Sequence, residues 1–418
     1  MDVFLAAIYF SSFLGVFTSI FYLLAMQENN HKLKTPIPNK LLSTTVLVPA
    51  FNEQGRIERT VKSLLNLDYP KHLLEILLID DGSKDNTLKE MQEMQKLDPK
   101  RITVIHKENG GKASALNLGI KKAKGEIIVS LDADSFVDKN ALKNMIGYFN
   151  NKEVAAVTPS MKIWKPKSIL QFVQFAEYMF GVFLRKATSL LDCLHVTPGP
   201  FSAYRKSFFV KHGGYEEGNP TEDMELAMRI QSKNYVIEHS LNSYSYTPGP
   251  SKFIPLFRQR LRWYFGYLTN LWKYRKMFAN TRYGTFGMFY LPMATTCFLL
   301  PIFIFMYVLK KTASALYDGA VNLLSINFDF TKLISFKLDS YYFMPSIMTI
   351  LVILAFVVML TMVLLGRMLS KDKERIAMPF IWMMVLYAPL HAIWWSSALV
   401  QKARGKKIRW SGISWKKD

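Results

Sequence analysis

Hydrophobic and polar positions along the chain follow two patterns. Long apolar blocks occupy both ends, and short blocks that alternate with polar stretches fill the middle. Leu5 to Met26, Tyr283 to Leu309 and Tyr341 to Gly366 carry no charged side chain. About 20 apolar residues cross a hydrocarbon core of about 30 Å as a helix, so these three blocks read as membrane spans. Ile376 to Val400 is as apolar, but it holds His391 and is interrupted by Pro379 and Pro389. The first block is preceded by Asp2, where a signal peptide would be basic, and is followed by Lys32, Lys34 and Lys40. It therefore reads as an anchor, with the N-terminus outside and everything after Asn30 in the cytoplasm. Three full crossings after Arg282 would put the basic tail, Gln401 to Asp418, outside, against the same charge rule. The last block is therefore expected to be re-entrant or interfacial, unless a further crossing lies within Thr312 to Phe336.

The middle of the chain reads as an α/β unit. Strands are predicted over Thr44 to Pro49, Glu75 to Asp80, Arg101 to His106, Glu126 to Leu131 and Val154 to Thr158. Helices are predicted between them over Glu53 to Leu65, Thr87 to Lys96, Lys112 to Lys122 and Lys139 to Tyr148. Such alternation implies a mainly parallel sheet covered by helices on both faces, with ligands at the carboxyl ends of its strands. Two amphipathic stretches, Ile169 to Leu184 and the basic, aromatic Lys252 to Lys276, read as interfacial helices. The expected organisation is an anchor over 1–30, a cytosolic domain over 31–250, an interfacial helix over 251–280, a membrane region over 281–400 and a basic tail over 401–418.

Composition narrows the choices. With 53 Lys+Arg against 32 Asp+Glu, a net charge of +21, 50% hydrophobic and 14% aromatic residues, the 418-residue chain is too apolar for a disordered basic tail. Its two cysteines, Cys193 and Cys297, support neither a disulfide framework nor a Cys-rich zinc site. No helix-turn-helix, zinc-finger or RRM signature accompanies the positive charge. Contact with anionic headgroups and phosphate-bearing ligands explains it more simply than nucleic acid does.

Polar clusters follow the strands. Pro49-Ala50-Phe51-Asn52-Glu53 follows the first, and Asp80-Asp81-Gly82-Ser83 the second; each alone is also compatible with a turn and a helix cap. Asn109-Gly110-Gly111-Lys112 opens a helix where glycines, a lysine and a helix N-terminus would attract phosphate. Asp132 and Asp134, two apart at a strand end, would point to one side, and a divalent cation would relieve their repulsion. Asp223 reads either as a helix cap or as a base. His195 and Cys193 lack further metal ligands and read as packing.

Taken in order, these motifs resemble the family 2 glycosyltransferases, and most closely the membrane-embedded polysaccharide synthases that make poly-N-acetylglucosamine, hyaluronan, chitin and cellulose. The resemblance rests on Pro49 to Glu53, Asp80 to Ser83, Asn109 to Lys112, Asp132-Ala133-Asp134, Thr221-Glu222-Asp223 and Gln259-Arg260-Leu261-Arg262-Trp263. It implies a GT-A (Rossmann-like) fold with N- and C-terminal transmembrane helices, at the cell membrane with the catalytic domain in the cytoplasm. It implies inverting transfer from a UDP-sugar to a glycan or lipid-linked acceptor, with Mg²⁺ or Mn²⁺. Ala50 and Glu53 would line the nucleoside pocket, Asp81 or Asp80 would lie near the uracil, and Lys112 would approach the donor. Asp132 and Asp134 would hold donor and metal, with Asp134 the firmer direct ligand, and Asp223 would be the base. Arg262 would meet the leaving diphosphate, while Gln259, Trp263 and Glu222 would sit toward the acceptor. Thr197-Pro198-Gly199-Pro200-Phe201-Ser202 resembles the family's acceptor loop, although its prolines depart from the commoner forms. The rival readings are single addition to a polyprenyl phosphate or lipid-linked oligosaccharide, and a catalytically silent scaffold. With so few spans, a homo-oligomer or an accessory export subunit would complete a polymer path.

Overall fold

The computed structural model describes residues 3–325, 328 and 347–406. At its centre β1 (Thr44–Ala50) is buried at every position and β2 (Leu74–Asp80) at nearly every one. Runs such as Val46-Leu47-Val48 and Ile76-Leu77-Leu78-Ile79 offer water no polar face, so they are stable as strands only when both faces are covered. β1 pairs in parallel with β2, β2 with β3 (Ile102–His106), and β1 with β4 (Ile127–Ser130). Helices α2 (Ile57–Leu65), α3 (Thr87–Leu97) and α4 (Lys112–Lys122) make the crossovers. Ala50 lies opposite Asp80, and Asp80 opposite His106, so the polar clusters after these strands stand side by side.

Beyond β4 the sheet becomes mixed. Its order is β3-β2-β1-β4-β7-β6-β8-β5, with β5 at Phe136–Val137, β6 at Val154–Ile163, β7 at Ser202–Arg205 and β8 at Val236–Thr247. β7 runs antiparallel to β4 and β6, β5 runs antiparallel to β8, and β6 and β8 are parallel. The mainly parallel α/β expectation holds, while β5, β7 and β8 were not expected from the sequence. The helix predicted over Lys139 to Tyr148 shrinks to α5 (Lys143–Ile146) and a 3-10 turn at Gly147–Asn150.

Among the described residues, four helices are long and apolar enough to cross a membrane: Ala6–Glu28 within α1 (Val3–Glu28), Phe286–Ser325, Thr349–Leu369 and Ala377–Ala403. With α6 (Ile169–Leu190), α7 (Lys206–His212), α8 (Glu222–Ser232) and α9 (Phe253–Lys273) in between, the last three correspond to α10 (Leu291–Ser325), α11 (Ile347–Leu369) and α12 (Ala377–Ala403). α11 leaves Ile350, Val352, Ile353 and Val357 exposed, a continuous apolar surface suited to lipid. One expectation is corrected here: α12 is a single unbroken helix with no re-entrant turn. Pro379 falls in its first turn, where a missing N–H leaves no helical bond unmade, and Pro389 is accommodated inside. Residues 312–325 continue α10 instead of starting a new span, and the rest of Thr312 to Phe336, like the tail from residue 407, lies outside the described residues apart from residue 328.

Both stretches expected to be interfacial form helices. α6 begins with a capping box between Ser168 and Gln171, and packs Phe175, Ala176 and Met179 against Val363 of α11 and Phe380 and Met383 of α12. The turn between α11 and α12 is tied to the sheet, because Lys162 of β6 pairs with Asp372 at 3.1 Å and donates to the Ser370 carbonyl at 2.8 Å. The loop Thr247 to Pro250 docks on α6, where Gln171 and Gln174 donate to the carbonyls of Gly249 and Pro250. The catalytic-looking face of the sheet is thereby fixed directly over the helical bundle.

Candidate active site

The ends of the first three strands build one wall. Asp81, buried just after β2, accepts from the Lys107 ammonium at 2.7 Å and from the N–H groups of Gly110 and Gly111 at 3.0 and 2.7 Å. It thus holds the Asn109 to Lys112 loop in place. Gly82 is required at this spot: its φ is +76°, and a Cβ would lie 2.8 Å from the Asn109 nitrogen. Neighbouring Asp80 accepts from the Ser83 N–H and lies 2.6 Å from His106 Nδ1. Ala50 ends β1 beside them, and Asn52 and Glu53 are bonded to the same loop through Ser83 and Thr87.

Lys112 is the centre of the site. Its buried ammonium lies 2.6 Å from Asp132 and 3.1 Å from Glu222. Burial opposes its charge, but Asp132, Glu222 and Asp223 outweigh that and hold its pKa above the usual lysine value. Gly199 of the Thr197 to Ser202 loop closes over this pair, since a Cβ there would fall 2.6 Å from the Lys112 nitrogen and 2.9 Å from both Asp132 oxygens. Ser130 anchors the loop, donating to the Gly199 carbonyl and accepting from the Phe201 N–H through its own carbonyl. Crowding of this kind costs about 1–3 kcal/mol. Gly199→Ala is therefore expected to lower the stability of the fold by about 1–3 kcal/mol in chemical denaturation. Unchanged stability would show that loop and ion pair are independent.

Asp132 and Asp134 lie in a turn beyond β4, not on the strand as the alternation argument assumed. They are nevertheless close enough to interact. Asp134 is raised by burial and then by Asp132, with only the Ser135 hydroxyl as a hydrogen-bond partner. Glu53 is raised by burial and then by Asp134, despite its bond from Arg56 at 2.9 Å. Asp134 and Glu53, both raised by burial and by neighbouring carboxylates, fit a divalent cation placed beside Asp132. Among the described residues no cage of three or more ligands is preassembled. That fits Mg²⁺ or Mn²⁺ held by one or two carboxylates and completed by substrate phosphates.

Asp223 occupies the second position of α8, and Thr221 is the cap. The Thr221 side chain faces Gly266 and Asn270 of α9 and makes no cap bond, while Asp223 accepts from the Met224 N–H at 2.8 Å. Burial, then the charge of Glu222, push the Asp223 carboxyl up to about 6, with Lys112 and Arg262 pulling the other way. Arg262 donates to the Pro220 carbonyl at 2.8 Å, bracing the turn that carries Asp223. Trp263 is stacked beneath the Arg260 guanidinium at 4.2 Å, and the buried Gln259 carbonyl oxygen has no partner among the described residues. Asp132, Asp134, Glu222 and Asp223 are therefore gathered around Lys112. Sequence reasoning gave Arg260 no role of its own, yet its bidentate pair with Glu177, at 3.0 and 2.6 Å, joins α9 to α6. Nothing in the local sequence marks that pair, because its members are 83 positions apart. Lys107, the partner of Asp81, was not singled out from the sequence either, and its place as a polar residue just beyond β3 is the signal that could have found it. His195 and Cys193 are packed as expected, His195 against the Tyr290 hydroxyl.

Residues 45–213 match the family described as Glycosyl transferase family 2. The chain carries a family 2 glycosyltransferase domain. This is the family that the ordered motifs resemble. The poly-beta-1,6-N-acetyl-D-glucosamine synthase of Staphylococcus aureus (strain MSSA476) is 33% identical over 266 residues, covering 61% of this chain and 64% of that protein. The synthase of Staphylococcus epidermidis is 30% identical over 258 residues, covering 61% of this chain and 62% of that protein. The matches thus span just under two thirds of the relatives' length. Among solved structures, mannosyltransferase PcManGT from Pyrobaculum calidifontis, in complex with GDP-Man and Mn²⁺, superposes with a TM-score of 0.62 at 20% identity. It covers 96% of this chain and 99% of that one, so the shared architecture extends from the sheet into the apolar helices. The glycosyltransferase domain is accordingly of the GT-A kind, with helices that could span a membrane at both ends.

Proposed function

We propose that this chain is an inverting, metal-dependent membrane glycosyltransferase that moves a sugar from a UDP donor, UDP-N-acetylglucosamine first, onto a growing β-linked glycan. The observation that carries the reading is Asp223. Its carboxyl is poised at about 6 and is tied electrostatically to the Lys112–Asp132 pair. An acceptor hydroxyl is a weak nucleophile at neutral pH. Asp223 takes its proton as the new bond to the anomeric carbon forms and the bond to UDP breaks. Asp134 and Asp132 would hold a divalent cation, which would supply positive charge for the diphosphate. Arg262, beside Asp223, adds paired donors for the same oxygens. Trp263 offers an indole face for a sugar ring at the acceptor end. The likeness to poly-N-acetylglucosamine synthases supports the donor and the polymer, the four apolar helices support a membrane location, and Lys32, Lys34 and Lys40 after the first of them support a cytoplasmic catalytic domain.

The test is a donor screen on the full chain with UDP-N-acetylglucosamine, UDP-glucose and UDP-glucuronate, reading UDP release and product size together. The expected outcome is a ladder of products from UDP-N-acetylglucosamine. A single sugar on a lipid would replace polymer synthesis by single addition, and no UDP release from any donor would end the enzymatic reading.

A further inference from the structure

Asp132 and Asp134 lie in the turn between β4, which ends at Ser130, and β5, a strand of two residues, Phe136 and Val137. The ladder of the sheet therefore does not set where these carboxylates point, and the direction has to come from elsewhere. Two peptide planes flank Asp134, and each is rigid, so fixing both leaves its Cα–Cβ bond one direction. The plane that follows is fixed within the turn, where the Ser135 N–H donates to the Asp132 carbonyl at 3.0 Å. The buried Ser135 hydroxyl then donates to the Asp134 carboxylate at 3.0 Å. The plane that precedes carries the Ala133 carbonyl, and that carbonyl is held from α2.

Thr60, in the middle of α2 and fully buried, donates through its hydroxyl to the carbonyls of Ala133 and Ser135, both at 2.7 Å. A hydroxyl has a single proton, so the two carbonyls share it and are drawn to one point, one before Asp134 and one after it. Ser63, three residues along the same face of α2, accepts from the Val137 N–H at 3.3 Å while donating to the Thr60 carbonyl at 2.7 Å. The Arg59 guanidinium lies 3.7 Å from the centre of the Phe136 ring, which stacks on Tyr246 of β8 at 5.0 Å. The segment from Ala133 to Val137 is thus laid against α2 at every second residue, by a side chain to which the transfer chemistry gives no task. Thr60 and Ala133 are 73 positions apart, so the fold alone brings them together.

We propose that Thr60 is a positioning residue for the divalent cation: through its hydroxyl, α2 sets the direction in which Asp134 offers its carboxylate, without itself touching ion or sugar nucleotide. This rests on the transferase reading and names what orients the metal ligand in it. Groups that hold a ligand in place in this way commonly matter for metal affinity nearly as much as the ligand does. The hydroxyl is what the role needs, since valine fills the same space and can donate to neither carbonyl.

The experiment titrates Mn²⁺ into the full chain in phosphatidylcholine nanodiscs with UDP present, and reads the ion left free by electron paramagnetic resonance against a protein-free UDP blank. Thr60→Val is expected to bind Mn²⁺ about 10–100-fold more weakly than wild type. Thr60→Ser, which keeps the hydroxyl and loses the methyl group, should bind it as wild type does. Metal-free UDP binding, measured by calorimetry, should be the same in all three and shows that the nucleoside pocket is folded. If Thr60→Val loses that binding too, Ser63→Ala decides: it removes the neighbouring bond to the same segment and should weaken Mn²⁺ in the same direction, and no change in it overturns the proposal. Equal Mn²⁺ affinity in wild type and Thr60→Val overturns it as well, while leaving the cation at Asp134. So does an equal loss in Thr60→Ser and Thr60→Val, which would assign the effect to packing of the side chain. A wild type that binds no Mn²⁺ beyond the blank removes both the cation and the proposal. Absence of sugar transfer by a wild type that does bind Mn²⁺ would instead sink the transferase reading alone.

Discussion

Asp223→Asn is expected to lower kcat/KM for sugar transfer by roughly 10²–10⁴-fold, the range that loss of a positioned base produces. The amide keeps the shape of the carboxyl and its bond from the Met224 N–H, but it cannot take a proton. UDP affinity should change little, because Asp223 reaches the donor side only through the fields of Lys112 and Arg262, and the direct partners of Lys112 are Asp132 and Glu222. The comparison is steady-state turnover against calorimetric UDP binding in the same preparation. Full turnover by the variant would remove Asp223 from the chemistry.

Asp134→Ala is expected to abolish the metal dependence of donor binding. Asp134 and Glu53 are both raised by burial and by neighbouring carboxylates, which is the electrostatic imbalance a cation corrects. Titrating UDP with and without Mg²⁺ or Mn²⁺ should show a large metal-dependent gain in wild type, on the order of tenfold or more, and none in the variant. Removing an acidic side chain also relieves repulsion on Asp132, so metal-free UDP binding should not fall. A variant that kept the metal-dependent gain would place the cation elsewhere.

Much of this arrangement was legible in the sequence where burial imposes a pattern. β1 and β2 are buried on both faces and read as unbroken apolar runs; the long apolar blocks read as spans for the same reason. β8 escaped because Val236–Thr247 carries Ser240, Asn242, Ser243 and Ser245, residues that signal turns and mask its strand-favouring tyrosines until a neighbouring strand pairs with them. α12 escaped because its prolines suggested a break, and position within the helix decides what a proline does. The site divides in the same way. Residues just beyond strand ends were found by their place in the alternation. The contacts that unite them join residues scores of positions apart, as Lys112 does with Asp132 and Glu222, and only folding creates those.

The most direct test of the central claim is the pH dependence of kcat/KM for sugar transfer between about pH 4.5 and 8, in wild type and in Asp223→Asn. A carboxyl raised to about 6 is protonated below that pH and cannot act as a base, so wild-type activity should fall as pH drops through about 6. The residual activity of the variant should show no such limb. A wild-type profile with no inflection in that region, or the same limb in Asp223→Asn, would contradict the account.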